Sequence, residues 1–467
     1  MDSLRALQGI LLEWSSDGKA VVAVMFGLLL AVTAAFVTRR LGPHDTHKRG
    51  TRVVTQTVAA HRIRRLRCGR DDSLTLAGVP IGALDETKHF KLIGTTGTGK
   101  STAIRELLRR ALERGDRAVI TDPDGGYLLS FHDRYRGDVV LNPFEEYAVK
   151  WDPFAEVRQL YDVDQLASGL IPTTEDSSGR EWRGYARTFM SAVIRRCHEQ
   201  GRCEVAELWR LLAVAPSSEL RPIVWDTPAQ PFLEPDNARM FGSIRSVAGS
   251  AAAALAYIKD QRALPFSVRN WVESGRGVLF IPYKAGQIAA LRSVIATWMR
   301  LAIVETMNHP EQDRRLWFVV DELDALGAID GLKDALARLR KFGGRCVLGF
   351  QSIAQVSSTY GQGEAQTIVE NCGNTLILRC SGSENGGTSQ FASRLIGERE
   401  VIRRQTSRGR DRESFFAVRG SRRSTNVSEQ HVTESAVMAS ELEQLPDFSG
   451  YLKTASRREW LRVTFSR

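Results

Sequence analysis

Eight consecutive residues, Gly94-Thr95-Thr96-Gly97-Thr98-Gly99-Lys100-Ser101, follow the pattern G-x-x-x-x-G-K-[ST], and the chemistry that pattern serves is the grip on a triphosphate. Glycines let backbone N–H groups turn inward around phosphate oxygens, and the lysine ammonium reaches the β- and γ-phosphates. Ser101 is then the hydroxyl that holds Mg²⁺, with Thr102 completing the loop's entry into a helix whose positive end faces the anion. The expected ligand is ATP with Mg²⁺.

Far downstream, the apolar run LWFVV (Leu316–Val320) delivers Asp321 and Glu322 to its end. Behind a complete phosphate loop, such a pair reads as a metal-supporting carboxylate, Asp321, followed by a base, Glu322, that polarises the attacking water. The adjacency points to RecA-like ATPases with an additional strand, and the guanine-reading N-K-x-D of GTPases is absent.

Three further positions carry open alternatives. Arg338, Arg340 and Lys341 close a helix expected over Asp330–Lys341. There they either neutralise the helix dipole, worth about 0.3–1 kcal/mol each, or supply an arginine finger to a neighbouring subunit, and spacing does not choose. Gln351 ends the strand RCVLGF either as an ordinary polar terminus or as a sensor of the γ-phosphate. Asp122, in the turn TDPDGG, reads as structural before it reads as a ligand.

These residues need elements to hold them. Phe90, Leu92 and Ile93 form a short apolar strand before the loop, and Ala103, Ile104, Leu107, Leu108, Ala111 and Leu112 recur at helical spacing after it. Strand-like runs return at Arg117–Thr121, Val139–Leu141, Val278–Pro282, Leu316–Val320, Cys346–Phe350 and Thr375–Leu378, with helices between them. The alternation predicts an α/β fold with a mainly parallel sheet covered on both faces. Between Phe154 and Leu264 the strand signals stop and helical patterns take over, as in Trp182–Cys197 and Asn237–Ile258, predicting an inserted all-α domain. Its arginines, among them Arg183, Arg187, Arg195 and Arg196, fit phosphate contacts but read residue by residue as solvated.

The chain has 467 residues and a formal charge of +10, which favours polyanionic partners without naming one. Six scattered cysteines without a C-x-x-C pair argue against a zinc cluster and a disulfide framework. From Ala20 to Val37 the 18-residue stretch AVVAVMFGLLLAVTAAFV carries no charge, the length of a membrane-spanning helix. Arg39, Arg40, Lys48, Arg49 and Arg52 follow it, so the positive-inside rule places the long C-terminal portion in the cytoplasm. The expected division is an anchor over residues 1–40, a nucleotide-binding domain over 41–153 and 265–467, and the helical insertion over 154–264. The Arg-rich segment Arg399–Arg423 reads as an extended hairpin or a loose loop, and Leu445–Phe465 as short edge strands.

In order, GTTGTGKST, TDPDGG, LNPF, LWFVVDELDAL, RLRKFGGRCVLGFQSIAQVSSTYG and LPDFSGYL resemble the type IV secretion coupling proteins, most closely their TrwB/TraD branch. The resemblance implies a RecA-like ATP hydrolase, anchored in the bacterial inner membrane and assembled as a homo-hexamer. It further implies sequence-independent binding of DNA and transfer of the relaxase-bound strand to the secretion channel in plasmid conjugation. Carried over by position, it makes Arg340 the trans-acting finger and Gln351 the sensor that couples hydrolysis to movement. Family members carry two membrane helices, whereas one strong span is visible here. The competing function is a docking receptor for secreted proteins that uses nucleotide only to switch shape. Stimulation of turnover by DNA separates the two.

Overall fold

The computed structural model describes residues 46–55, 73–172, 177–309, 315–384, 386–410 and 423–466. The apolar span Ala20–Val37 lies outside them, as do Arg39 and Arg40. Among the described residues no single helix is long and apolar enough to cross a membrane.

Ten strands build the central sheet: β1 (Val53–Thr55), β2 (Phe90–Ile93), β3 (Arg117–Pro123), β4 (Val139–Val140), β5 (Val278–Tyr283), β6 (Leu316–Val320), β7 (Gly344–Phe350), β8 (Asn374–Ile377), β9 (Ser449–Lys453) and β10 (Trp460–Thr464). Their spatial order is β1-β10-β9-β8-β2-β7-β6-β3-β5-β4. From β8 to β4 every neighbouring pair is parallel, while β9 joins both β8 and β10 antiparallel. The phosphate-loop strand β2 is therefore separated from the acidic-pair strand β6 by β7, the arrangement expected of the additional-strand, RecA-like class.

Central strands are buried and largely apolar because both faces are covered. Side-chain alternation splits them between two cores. Phe90, Leu92, Ala118, Ile120, Trp317, Val319 and Val347 pack against helix α1 (Lys100–Glu113), through Ala103, Ile104, Leu107, Leu108 and Ala111. Ile93, Val119, Phe318, Val320, Leu348 and Phe350 face the opposite way, into a larger core that holds helix α8 (Ile288–Asn308).

Between Phe154 and Leu264 the described elements are helical. The longer ones are α2 (Leu160–Leu170), α3 (Ser177–Glu199), α4 (Val205–Ala213), α5 (Ser217–Val224), α6 (Ala238–Ala251) and α7 (Leu255–Lys259). The stretch read as one helix over Asn237–Ile258 is two, α6 and α7. Entry and exit of the insertion lie side by side, since Lys150-Trp151 pairs in parallel with Pro265-Phe266. Leu166, Phe189, Leu208 and Ile244 belong to the same continuous core as α8 and the sheet. Several of the insertion's arginines are structural: Arg187 Nε donates to Ile171 O at 2.6 Å, and Arg196 Nη2 to Trp225 O at 2.8 Å.

A second compact unit comprises Thr46–Thr51 and Glu398–Ser435. Strands Glu398–Arg410 and Arg423–Ser435 pair antiparallel from Glu398 opposite Ser435 to Arg410 opposite Arg423, and Thr46–Gly50 adds a third strand. Lys48 and Arg49 both bond Glu400, holding its carboxyl down at about 2, and Arg399 pairs with Glu434 at 2.8 Å.

Candidate functional site

Strand β2 runs into the loop, and α1 begins at Lys100 with Gly99 as its N-cap at φ +109°. Only glycine tolerates that backbone without strain. A Cβ there would also come within 2.8 Å of the Phe448 ring, so the loop and the Asp447-Phe448 turn close on each other. Phe448 N donates to Thr98 O at 2.9 Å, which fixes that approach.

On the neighbouring strands, β7 passes so close to the end of β6 that a Cβ on Gly349 would lie 2.2 Å from Asp321 O. That closeness, with Leu323 N donating to Gly349 O at 2.9 Å, aims both acids at the loop. Ser101 Oγ donates to Asp321 Oδ2 at 2.6 Å. Gln351 Nε2 donates to Glu322 Oε1 at 2.7 Å, and its Oε1 accepts from Thr96 Oγ1 at 2.9 Å. One glutamine thus ties the loop to the second acid. Lys100 is 6% exposed, and its Nζ donates to Gly94 O and Thr95 O.

These groups line a cleft of about 500 Å³ with Thr95, Gly97, Thr102, Arg105, Asp124, Tyr127, Asp447 and Phe448. Burial lowers the Lys100 pKa and raises that of Glu322, the latter helped by the Asp321 charge beside it. Asp321 Oδ1 is buried without a hydrogen-bond partner. A serine hydroxyl and a carboxylate joined through Oδ2, with the other carboxylate oxygen unpaired, fit a hard divalent cation that completes its shell with phosphate oxygens and water. A larger cavity of about 880 Å³ lies between the inserted helices and the turn at Leu326, lined by Trp182, Arg183 and Arg292. Among the described residues its lining holds no carboxylate, and the chemistry gathers in the smaller cleft.

Gly94 and Thr98 belong to the loop but stand behind the cleft wall: a Gly94 Cβ would meet Leu378 at 2.9 Å, and Thr98 Oγ1 donates to Thr95 O at 2.7 Å. Arg340 is not in this cleft. It sits exposed in a 3-10 turn (Leu339–Phe342) just before β7, whereas the phosphate loop follows β2, parallel to β7. The seven residues of β7 put it roughly 20 Å away, at the opposite end of that strand. The helix expected over Asp330–Lys341 is shorter, α9 (Leu332–Arg338), and the 3-10 turn follows it.

Asp122 caps rather than lines. Its oxygens accept from Tyr127 N at 2.9 Å and Leu128 N at 2.7 Å, and burial lifts its pKa to about 6. Sequence reading passed over Tyr127 and Arg105. Tyr127 OH donates to Asp321 Oδ2 at 2.8 Å, and the Arg105 guanidinium lies 5.2 Å from the Tyr127 ring centre. LPDFSGYL is legible as a motif, yet only the folded chain puts its Asp447 and Phe448 on the cleft.

The family model described as the type IV secretion-system coupling protein DNA-binding domain matches residues 73–466. Coupling protein TraD of Escherichia coli (strain K12) is 30% identical over 449 residues, covering 93% of this chain and 60% of TraD. The chain therefore spans about three fifths of that relative's length. Among solved structures, the unbound monoclinic form of the bacterial conjugative coupling protein TrwBdeltaN70 superposes with a TM-score of 0.79 at 30% identity, over 91% of this chain and 94% of that one. TrwB in complex with ADP and Mg²⁺ gives 0.78 at the same identity, over 91% and 94%. With the fold, the cleft and the match across residues 73–466 agreeing, the chain belongs to the type IV secretion-system coupling proteins.

Proposed function

We propose that this protein is an ATP hydrolase that moves DNA in conjugation: six copies form a ring, and turnover at the cleft drives the relaxase-bound strand toward a type IV secretion channel. The observation that carries the reading is the Ser101–Asp321 hydrogen bond of 2.6 Å, which joins the phosphate loop to the acidic pair across 220 residues of chain. Loop residues Thr95–Thr102 hold the triphosphate, with Lys100 on its terminal phosphates. Ser101 and Asp321 hold Mg²⁺, which when bound neutralises phosphate charge and orients the leaving group. Glu322, its pKa raised, accepts the proton of the attacking water. Gln351, bonded to Thr96 and Glu322 at once, passes the state of the γ-phosphate site to the base.

Arg340 serves the neighbouring subunit. Its place at the end of the central strands opposite its own cleft supports a role in trans. The TrwB complexes with ADP and Mg²⁺ and with the ATP analogue ADPNP support the ligand assignment. On this reading residues 1–40 anchor the chain in the inner membrane through Ala20–Val37. The core comprises 41–153 and 265–467, and 154–264 is the inserted helical domain, with the bulk cytoplasmic.

The test is turnover by the solubilised full chain with and without DNA. Stimulation by DNA that fades steeply as salt rises is expected, since phosphate contacts release counterions. Turnover indifferent to DNA but dependent on a secreted protein would replace the motor by a docking receptor.

A further inference from the structure

Two hydroxyls converge on one oxygen of Asp321. Ser101 Oγ and Tyr127 OH donate to Oδ2 at 2.6 and 2.8 Å, while Oδ1 of the same buried carboxylate has no partner. A carboxylate that rotates freely would share its donors. This one is pinned on one side and bare on the other.

The pin is itself anchored. Tyr127 is 1% exposed, and its backbone N–H is held by Asp122, which is wholly buried. The Arg105 guanidinium packs over the ring, 5.2 Å from its centre. A phenol keeps its proton at neutral pH, and here that O–H donates to Asp321 Oδ2.

We infer that Tyr127 is a positioning residue for the divalent cation: by sharing Oδ2 with Ser101, its phenol fixes the Asp321 carboxylate beside the hydroxyl that would hold the metal. Loss of that hydrogen bond lets the carboxylate turn, and metal affinity falls while the loop's own grip on phosphate remains. Partners of this kind that orient a metal-binding carboxylate are worth about 10–100-fold in affinity. The inference rests on the nucleotide reading of the cleft.

The experiment follows a fluorescent ADP analogue on the full chain, titrated with Mg²⁺ from an EDTA-treated start, in wild type and Tyr127→Phe. Phe keeps the ring under Arg105 and removes only the hydroxyl. The expected result is a Mg²⁺ concentration for half-effect raised about tenfold, with metal-free ADP affinity within about twofold. Equal Mg²⁺ dependence in the two proteins overturns the inference, and so does an equal loss of affinity with and without metal, which marks a purely structural ring. In an Asp321→Asn background the Tyr127→Phe change should add nothing further, because it acts through that carboxylate; additive losses also overturn it. If wild type itself shows no Mg²⁺-dependent ADP binding, the nucleotide reading fails first, a distinct outcome.

Discussion

The two ends of the central strands both gather charge and use it in opposite ways. At the end where β2, β3, β6 and β7 begin, Arg114 forks onto Glu86 at 2.8 and 2.6 Å and also bonds Asp116 at 2.6 Å. Asp116 accepts from Trp317 Nε1 at 2.8 Å, and Glu86 from Arg345 Nε at 3.2 Å. Opposite signs alternate. Where those strands finish, the cleft is lined by Asp124, Asp321, Glu322 and Asp447 against Lys100 and Arg105, and one oxygen of Asp321 is bare. Charge that is matched holds the fold, and charge left in excess of one sign is available to a cation and to the phosphates that accompany it.

The sharpest way to break this contrast is to neutralise one group on each side. Glu322→Gln should lower turnover by about 10²–10⁴-fold, as loss of a general base does, with nucleotide affinity and melting temperature held or raised because like-charge crowding is relieved. A melting point that falls by several degrees would move Glu322 to the structural class. Arg114→Ala at the other end should do the reverse. It leaves Glu86 and Asp116 buried with less compensation and costs about 3–5 kcal/mol in denaturant unfolding, without changing the nucleotide affinity of the folded protein.

His89 adds a pH test to the quiet end. Buried, with Nε2 bonded to Leu336 O at 2.9 Å and Nδ1 accepting from Cys346 N at 3.0 Å, it titrates at about 4 instead of 6.5, chiefly from burial. The unfolded chain then binds the proton more readily. His89 therefore contributes stability that is complete above pH 6.5 and lost as pH falls through about 4, about 3 kcal/mol in all. Urea midpoints of wild type against His89→Gln across pH 4–7 check it: the wild-type slope should exceed the variant's, and equal slopes would refute the assignment. The smallest effect belongs to the exposed hairpin, where Arg404→Ala removes a 2.9 Å pair with Glu429 and should change unfolding by about 0–1 kcal/mol.

Legibility in the sequence tracked distance along the chain. Gly94–Ser101 and LWFVV-Asp321-Glu322 were readable because each packs its chemistry into adjacent residues on one element. Tyr127 and Arg105 were not, since a tyrosine in a turn and an arginine on a helix show nothing until a carboxylate from β6 reaches them. The matched end was invisible for the same reason: Glu86, Arg114, Asp116 and Arg345 look like scattered surface charges and become buried partners only when four strands align. The insertion's arginines misled in the opposite sense, as Arg187 and Arg196 bond carbonyls of their own helical layer.

By itself the sequence determined the local backbone and the types of chemistry present, because glycine spacing, strand alternation and helical period act over a few residues. The tertiary structure alone decided which acid meets which hydroxyl. Inserting β7 between β2 and β6 sets the spacing of Ser101, Asp321, Glu322 and Gln351, and strand order is a property of packing over the whole chain, not of any window within it.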